Sequence, residues 1–355
     1  MKARKTTVSQ TQKKPLKTAL IALGVVAFFA LAVAGWMIGP PKTVGTYGGV
    51  EIPAGVYRLC QYQALSSAAD TKDTAALEEA VLENLQYYAA VESRFAALGE
   101  ELTKEEKQDA DAYAAEMWQY YGSLYGSYGI DQNALKAYQY NYYKTLHLLA
   151  ADNANLTEAE LTDYARNKMV YGHYVTVPLY NPETYATATE DQIDKMLAAG
   201  EALVKAYTDS RLLSSQAGAE AELADFTAAL KAKLADVYAP LETEYDPKEL
   251  ENEMGGDLFG LEELESTFGA DAAKTLRELK NGEAACVQYG GYALMLFLRA
   301  DPLEASTLDE LRNAILTDWK GEALSESLHE TGHELENALD AEAIAKYYPI
   351  SDFVG

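Results

Sequence analysis

GGDLFG (255–260), LKNGE (279–283) and GGYAL (290–294) decide the fold of this 355-residue chain. In all three stretches, glycines interrupt apolar sequence. They therefore predict a glycine turn, a helix over about 262–280, a second turn and strands near 284–299. The region is expected to end in a small sheet, with a helix before its last strands.

The sequence ahead of these stretches predicts the rest of the same domain. Residues 172–178 read GHYVTVP, whose alternation and β-branching are typical of a strand. A helical pattern then runs to about Leu212, a small polar loop occupies 214–220, and a second helical pattern covers 221–234. Together the segments give a β-α-α-α-β-like order.

In this order and spacing, residues 170–302 resemble the parvulin-type peptidyl-prolyl isomerases. His173 stands where that family has the histidine of its first strand, and Phe226 matches the phenylalanine of its Asp-Phe pair. Tyr292 matches the residue before the family's second histidine, but Ala293 occupies the position of that histidine. The resemblance implies a substrate that is unfolded or proline-containing polypeptide.

The resemblance also implies how a proline site would work. In active parvulins two histidines lie back to back beneath the proline, and the enzyme lowers a barrier of roughly 18–20 kcal/mol. Ala293 accepts no such hydrogen bond, so we expect weak or lost isomerase activity, with an active isomerase as the alternative. His173 is then either a catalytic residue or a buried core residue. Phe226, Phe268 and Tyr292 are the candidate substrate-binding residues of this domain.

The first half of the chain has a different pattern. A short extended piece at 50–52 follows a Gly-Gly turn, and helical periodicity comes after it. This layout resembles the N-terminal chaperone domain of the SurA and PrsA families. The resemblance implies a mostly helical α+β chain with a helical domain at 39–168, a divergent parvulin-like α/β domain at 169–302, and a C-terminal helical segment at 303–355 that packs back on the helical domain.

Several helix starts are marked by capping boxes, in which a threonine is followed three residues later by Glu or Gln. Each box predicts that a helix begins at the residue after the threonine, and Asp131 is predicted to cap a further helix. The boxes are Thr103 with Glu106, Thr157 with Glu160, Thr189 with Gln192, and Thr307 with Glu310.

Tyrosine is concentrated in the helical domain, with nine residues between positions 113 and 143. A tyrosine offers an apolar ring with a hydroxyl that tolerates water, which suits adaptable contact with peptides. On this ground Tyr121 and Tyr125 are candidate peptide-binding residues. The alternative is that helical spacing places these rings in helix–helix packing.

HETGH at 329–333 satisfies the H-E-x-x-H pattern of zinc peptidases. On a helix, His329 and His333 lie on one face as zinc ligands, with Glu330 as the base that activates a bound water. Gly332 disfavours a helix by about 1 kcal/mol relative to alanine, and no further ligand motif is recognisable. We therefore favour the solvated flank of an amphipathic helix and expect no metal or cofactor. A zinc metallopeptidase is an alternative function.

The N-terminal sequence predicts a membrane anchor. Residues 1–17 carry six Lys or Arg and no acid, and residues 18–38 are uncharged. About 20 apolar residues in a helix cross the hydrocarbon core of a bilayer. The positive-inside rule keeps the basic tail in the cytoplasm and everything after Gly39 outside. A cleavable signal peptide with a site at Ala32-Val33-Ala34 is the alternative.

The formal net charge of −26 disfavours nucleic acid as a partner, because an acidic surface repels phosphates. It suits an exported protein that stays dispersed while it binds unfolded or secreted polypeptides. Cys60 and Cys286 are expected to be separate buried thiols, with a disulfide as the alternative. The predicted function is that of a membrane-anchored, extracytoplasmic chaperone or foldase. An envelope structural or adhesive protein is a further alternative.

Overall fold

The computed structural model describes residues 40–213, 218–248, 250 and 254–353 of the chain. The predicted basic tail and membrane anchor lie outside these residues. Within the described part, no helix combines the length and the apolar character that crossing a membrane requires.

Helices account for most of the described chain, and two small sheets accompany them. The prediction of a mostly helical α+β fold is confirmed. The helices are α1 (Ala54–Ser67), α2 (Thr74–Leu98), α3 (Lys104–Ser127), α4 (Gln132–Asp152), α5 (Glu158–Lys168), α6 (Glu190–Leu213), α7 (Ala219–Tyr238), α8 (Leu261–Phe268), α9 (Ala270–Glu278), α10 (Pro302–Ala305), α11 (Leu308–Glu334) and α12 (Ala341–Tyr347). The strands are β1 (Thr43–Tyr47), β2 (Val50–Pro53), β3 (Met169–Pro178), β4 (Gly255–Gly260), β5 (Ala284–Tyr289), β6 (Ala293–Ala300) and β7 (Asn337–Leu339).

The described residues form two compact units. The first contains those up to Thr145 and those from Ser327 onward, and the second lies within Leu146–Glu326. The limits predicted near residues 168 and 302 coincide with changes between helix and strand. A sequence pattern can show where a helix gives way to a strand. The limits of the units instead lie inside α4 and α11, where the helical periodicity continues without a break.

The first unit contains a three-stranded antiparallel sheet in the order β2-β1-β7. Gly48 and Gly49 make the turn between β1 and β2, and both have positive φ. A two-residue turn of this kind matches the twist of the strands that it joins. Gly45 lets β7 approach β1, because a Cβ atom at that position would lie 2.5 Å from the carbonyl oxygen of Ala338.

Arg58 of α1 fixes the C-terminal segment of the first unit. Its buried guanidinium donates hydrogen bonds to the carbonyl oxygens of Tyr347 at 3.3 Å and Pro349 at 3.4 Å. It also pairs with the Asp352 carboxylate at 2.6 Å and lies 5.2 Å from the centre of the Phe353 ring. Because a guanidinium carries five N–H donors in a fixed geometry, one side chain holds several parts of this segment at once.

The second unit is built on a four-stranded antiparallel sheet in the order β4-β3-β6-β5. Leu294, Leu296 and Leu298 of β6 pack with α6 and α7, whereas Met295 and Phe297 pack with α8 and α9. This separation follows from the period of two along a strand. The two sides of the sheet are called the α6–α7 face and the α8–α9 face below.

The prediction of a glycine turn at 255–260 is wrong, because these residues form β4 and pair with β3 along their whole length. The glycines here allow close contact. A Cβ atom on Gly256 would lie 3.0 Å from Nδ1 of His173, and one on Gly255 would lie 2.8 Å from the Tyr174 ring. Glycine inside a strand often marks such an approach of neighbouring groups.

The prediction of one helix over 262–280 is also wrong. Two helices, α8 and α9, occupy this region, and Gly269 separates them with a φ of +84°. A positive φ lies outside the right-handed helical region, so the first helix ends there. The closing strands β5 and β6 follow in the predicted region.

The four predicted capping boxes are all present, and α3, α5, α6 and α11 begin at the residue after each threonine. Each threonine Oγ1 accepts a hydrogen bond from the N–H group three residues later, at 3.1–3.4 Å. Each threonine N–H donates in return to the Glu or Gln side chain at 2.7–2.9 Å. Asp131 caps α4 as predicted, since its Oδ1 accepts from the N–H of Ala134 at 2.8 Å.

Candidate functional site

Aromatic side chains form a continuous series on the α8–α9 face of the second unit. We call Tyr174, Phe259, Phe268, Tyr289 and Tyr292 the aromatic surface. The ring centres of Tyr292 and Tyr289 lie 5.3 Å apart, and those of Tyr289 and Phe268 lie 5.1 Å apart. Phe268 and Phe259 are separated by 5.3 Å, and Phe259 and Tyr174 by 6.1 Å. These are the distances and tilts at which aromatic rings attract one another.

Several elements position these rings. Tyr174 points to the α8–α9 face because it lies next to His173 in β3, and alternate residues of a strand point to opposite faces. Phe268 ends α8, and Tyr289 ends β5. The Tyr292 ring lies over Gly290, where a Cβ atom would come within 2.0 Å of it. The glycine pair at the β5–β6 turn therefore makes room for Tyr292 against Tyr289.

The aromatic surface is partly open to solvent. Tyr292 has 56% of its surface exposed, and Tyr174 and Tyr289 are half-buried. Phe259 and Phe268 are buried and form the floor beneath these tyrosines. The arrangement offers accessible apolar area above buried rings, which is the usual composition of a site for apolar groups.

Polar groups at the edge of the aromatic surface orient its hydroxyls. The Tyr174 hydroxyl donates to Oδ2 of Asp257 at 2.7 Å, and the Tyr289 hydroxyl lies 3.5 Å from Oγ1 of Thr176. Burial, together with the Asp257 carboxylate, raises the pKa of Tyr174 to about 12. The phenol therefore stays neutral at physiological pH. The surface can bind apolar and aromatic groups and exchange hydrogen bonds with a peptide backbone.

His173 lies away from the aromatic surface. In the β3–β6 ladder His173 pairs with Leu298, whereas Ala293 pairs with Pro178. The positions of the two expected histidines are thus five residues apart along the ladder, roughly 17 Å at the usual rise per residue. Leu298 packs on the α6–α7 face, so His173 and Ala293 also lie on opposite faces of the sheet. The back-to-back arrangement that the resemblance implies is absent from this register.

The imidazole of His173 lines a separate pocket of about 410 Å³. Leu223, Thr227 and Met254 form other parts of its wall, and Gly256 leaves the ring accessible. Burial lowers the pKa of His173, so the ring is neutral at physiological pH. The residue is thus a partly buried neutral histidine on the side of the sheet that carries α6 and α7.

Phe226 is fully buried in the α6–α7 core, where its ring packs edge-on against Tyr207 at 5.4 Å. A polypeptide therefore does not reach it in this conformation. Of the substrate-binding residues expected in this domain, Phe268 and Tyr292 come together on the α8–α9 face. Tyr289 joins them, and sequence reasoning missed it. The period of two in β3 was the signal that could have found Tyr174, since Tyr174 faces away from Val175.

Tyr121 and Tyr125 belong to α3 in the first unit. Tyr121 is exposed, and Tyr125 is half-buried with its ring edge-on to Tyr62 at 5.8 Å. Some of the tyrosines in this segment therefore pack between helices, and others face solvent. The exposed tyrosines of α3 and α4 are Tyr113, Tyr120, Tyr121, Tyr138 and Tyr142.

The HETGH residues occupy the end of α11. His329, Glu330 and His333 are exposed, and the His329 ring packs against Tyr87 at 5.2 Å. Among the residues that the structure describes, no three His, Cys, Asp or Glu side chains are placed to hold a metal ion. Gly332 has a packing role, because a Cβ atom there would lie 2.7 Å from the carbonyl oxygen of Gln86 in α2. The glycine thus permits close contact between two helices.

Cys60 and Cys286 are free thiols, one in each unit. Cys60 is fully buried in the core of the first unit, and Cys286 lies against Gly200 of α6. Burial raises the pKa of each thiol to about 12. Neither thiol forms the nucleophilic thiolate at physiological pH, so both have the character of packing residues.

Comparison with known proteins gives little to add to this geometry. No protein family matches the sequence, and no curated protein matches it. The foldase protein PrsA from Streptococcus pneumoniae aligns at 12% identity over 86% of this chain and 99% of its own, with a TM-score of 0.35. The PrsA foldase from Lactococcus lactis aligns at 12% identity over 86% of this chain and 97% of its own, with a TM-score of 0.31. At such TM-scores neither likeness carries an argument about this chain.

Proposed function

We propose that this chain is an extracytoplasmic chaperone of the foldase type, which binds unfolded polypeptides. The observation that carries the proposal is the aromatic surface, where accessible tyrosines lie over a floor of buried phenylalanines. Such rings offer a large contact area with little loss of side-chain entropy, and their hydroxyls pair with many backbones. A surface of this kind suits ligands that share apolar character but no common sequence.

Two further features support a chaperone. The exposed tyrosines of α3 and α4 give the first unit a second area of the same chemistry. Because the net charge is −26, molecules of the chain repel one another in solution even when each has bound a client. A chaperone needs both properties, because it must bind apolar segments without aggregating itself.

The second unit is proposed to be a divergent parvulin-type domain with weak or no isomerase activity. Its four-stranded antiparallel sheet with flanking helices supports the domain assignment. The aromatic surface contains phenols but no histidine. Asp257 lies at its edge, and His173 lies on the opposite face of the sheet. Lowering a barrier of roughly 18–20 kcal/mol requires polar groups placed around the twisting bond, and this surface offers few of them.

The location of the chain is proposed from its sequence. The uncharged run at 18–38 behind six cations supports a single-pass anchor with the bulk of the chain outside the cytoplasm. Protease added to intact cells should then digest the described residues and leave a membrane-bound N-terminal fragment. A mature N-terminus after Ala34 would replace the anchor with a cleaved signal peptide.

Aggregation of a chemically denatured model protein tests the proposed function. Full-length chain at equimolar amount should slow light scattering. Tyr292→Ala should weaken this effect by about two- to tenfold, because one aromatic contact contributes about 0.5–1.5 kcal/mol. Tyr185→Ala is the matched control, since Tyr185 is a 78% exposed tyrosine of the same unit outside the aromatic surface. No suppression at several-fold excess of the wild-type chain would refute the proposal.

Isomerisation of an X-Pro tetrapeptide tests the statement about catalysis. We expect at most weak acceleration by the full-length chain. We also expect His173→Ala to lower the thermal midpoint more than any residual rate. Strong acceleration that disappears in a still-folded His173→Ala variant would show that this histidine is catalytic.

A further inference from the structure

The first unit contains a cavity of about 790 Å³ that none of the preceding functions uses. α2 forms one wall, and β7, α12 and the residues after α12 form the other. Its apolar lining includes Val81 and Leu82 on one side and Leu339, Ile344 and Ile350 on the other. This volume lies in the range of about 300–1,000 Å³ that is typical of ligand sites.

Leu82 is the large apolar residue of this lining that is most open to solvent among those the structure describes. Leu82 has 36% of its surface exposed, although Leu77, Val81 and Leu85 of the same helix are buried. It lies at the position where α2 faces the cavity, beside the buried row of the helix. A ligand that covers an accessible leucine inside a concave surface is stabilised by about 25 cal/mol for each Å² of apolar surface removed from water.

The cavity also carries one negative charge. Glu78 precedes Leu82 by one helical turn and lines the same wall. In the part of the chain that the structure describes, Glu78 has no hydrogen bond or ion-pair partner, and the lining contains no Lys or Arg. Burial and the Glu78 carboxylate raise the pKa of the neighbouring Tyr57 to about 12, so its phenol stays neutral. An exposed carboxylate beside apolar walls attracts a cation that carries apolar groups.

Strand addition is not the mode of binding that this cavity favours. Asn337 and Leu339 line it from β7, the outer strand of the sheet. Oδ1 of Asn337 already accepts the N–H of Leu339 at 3.0 Å, so the edge of this short strand is blocked by its own side chain. A polypeptide would therefore be recognised through its side chains and not through a new ladder of backbone hydrogen bonds.

We infer that this cavity binds a polypeptide segment in which a Lys or Arg adjoins leucine-like side chains. The apolar walls take the aliphatic side chains, and Glu78 pairs with the cation. The inference rests on the proposed function only in taking polypeptide as the ligand. It adds a site in the first unit, separate from the aromatic surface, and a preference for cationic clients. The acidic net charge supports the same preference, since it attracts positively charged chains.

Fluorescence anisotropy with short labelled peptides measures this preference. The probe is an acetylated and amidated peptide of Leu, Ser and Lys, and the comparison peptide has Glu at each Lys position. The full-length chain should bind the Lys peptide saturably and the Glu peptide at least about fivefold more weakly, because Glu78 and the net charge repel the latter. Equal binding of the two peptides would overturn the inference.

Two variants with matched controls locate the site. Glu78→Gln should weaken binding of the Lys peptide about two- to fivefold, the usual effect of an exposed ion pair, whereas Glu79→Gln should not. Glu79 is the adjacent exposed glutamate and lies outside the lining. Leu82→Ala should weaken binding about five- to tenfold, whereas Leu98→Ala should not. Leu98 is a 37% exposed leucine of the same helix and also lies outside the lining.

The outcomes separate this inference from the proposed function. Binding of the Lys peptide without suppression of aggregation supports the cavity and refutes the chaperone. Suppression of aggregation without binding of the Lys peptide supports the chaperone and refutes the cavity. Leu82→Ala and Leu98→Ala variants that bind the Lys peptide equally well would also overturn the inference, because the ligand would then lie elsewhere.

Discussion

Replacing Arg58 with methionine should release the C-terminal segment of the first unit. Methionine keeps most of the aliphatic stem, so packing changes little, but every donor is lost. The carbonyl oxygens of Tyr347 and Pro349 then lose donors at 3.3 and 3.4 Å. Oε1 of Gln61 loses a donor at 3.2 Å, and Asp352 loses its ion-pair partner. The segment would remain attached by its apolar contacts and by the hydrogen bond from Nε2 of Gln61 to the Tyr348 carbonyl oxygen at 2.9 Å.

The magnitude follows from the burial of these groups. Each of the three acceptors that lose a donor should lower the opening free energy by about 1 kcal/mol, after competing hydrogen bonds to water are counted. The loss is smaller for any acceptor that water can reach. The ion pair adds about 1 kcal/mol or less, because the Asp352 side chain is 49% exposed although that of Arg58 is only 9% exposed. The local opening free energy should fall by about 2–4 kcal/mol, which corresponds to a roughly 30- to 700-fold larger equilibrium constant for opening of the segment.

Amide hydrogen exchange of α12 is the suitable assay, because a chain with two units need not unfold in one step. The Tyr348 amide, which donates to the Ile344 carbonyl oxygen at 2.8 Å, should exchange faster by that factor in Arg58→Met. Lys346→Met is the control, since Lys346 is an exposed cation of the same segment that contacts the Tyr347 ring. Equal exchange in wild type and Arg58→Met would refute the assignment of Arg58 as the residue that fixes this segment.

Two other predictions concern the second unit. Gly172→Ala should destabilise it by more than about 1 kcal/mol, because the new Cβ would lie 1.9 Å from the fully buried ring of Phe297. Gly321→Ala in α11 meets nothing closer than 3.7 Å and should stabilise the helix by about 1 kcal/mol. Opposite shifts of the urea midpoint test this pair, and equal shifts would contradict it. Burial lowers the folded-state pKa of His173, so the unfolded chain takes up this proton first as the pH falls below about 6.5, and stability is lost from that pH downward. His173→Gln should reduce the loss of urea midpoint between pH 7 and 5, while His329→Gln on the exposed end of α11 should show the wild-type loss.

Local sequence signals predicted the starts of the helices that carry capping boxes and the Gly48-Gly49 turn ahead of the extended piece at 50–52, but not the pairing of β1 with β2. A capping box such as Thr157 with Glu160 satisfies backbone donors through neighbouring side chains, so it acts within one turn of chain. Gly48 and Gly49 adopt positive φ without strain, which suits them to the two-residue turn between the extended segments β1 and β2. The strand β3 could be predicted from its alternating pattern because the period of a strand is also a local property.

Only part of the candidate site could be predicted from the sequence. Phe268 and Tyr292 were predicted and lie on one surface, but Tyr289 between them gave no separate signal. His173 was placed opposite residue 293 by resemblance, and the register instead pairs it with Leu298. A shift of register changes which side chains are neighbours without changing the strand pattern. It is determined by the packing of both faces, which no single segment encodes.

The sequence by itself determined the class of fold, the starts of the helices that carry capping boxes and the chemistry that the chain carries. The tertiary structure decided whether a glycine makes a turn or a close contact, as at Gly256 and Gly332. It also decided that Arg58 meets residues near position 350 and that α2 and β7 enclose a cavity. Capping and turn formation depend on neighbours within a few residues, whereas close contacts, register and cavities depend on groups that are distant in the chain and adjacent only after folding.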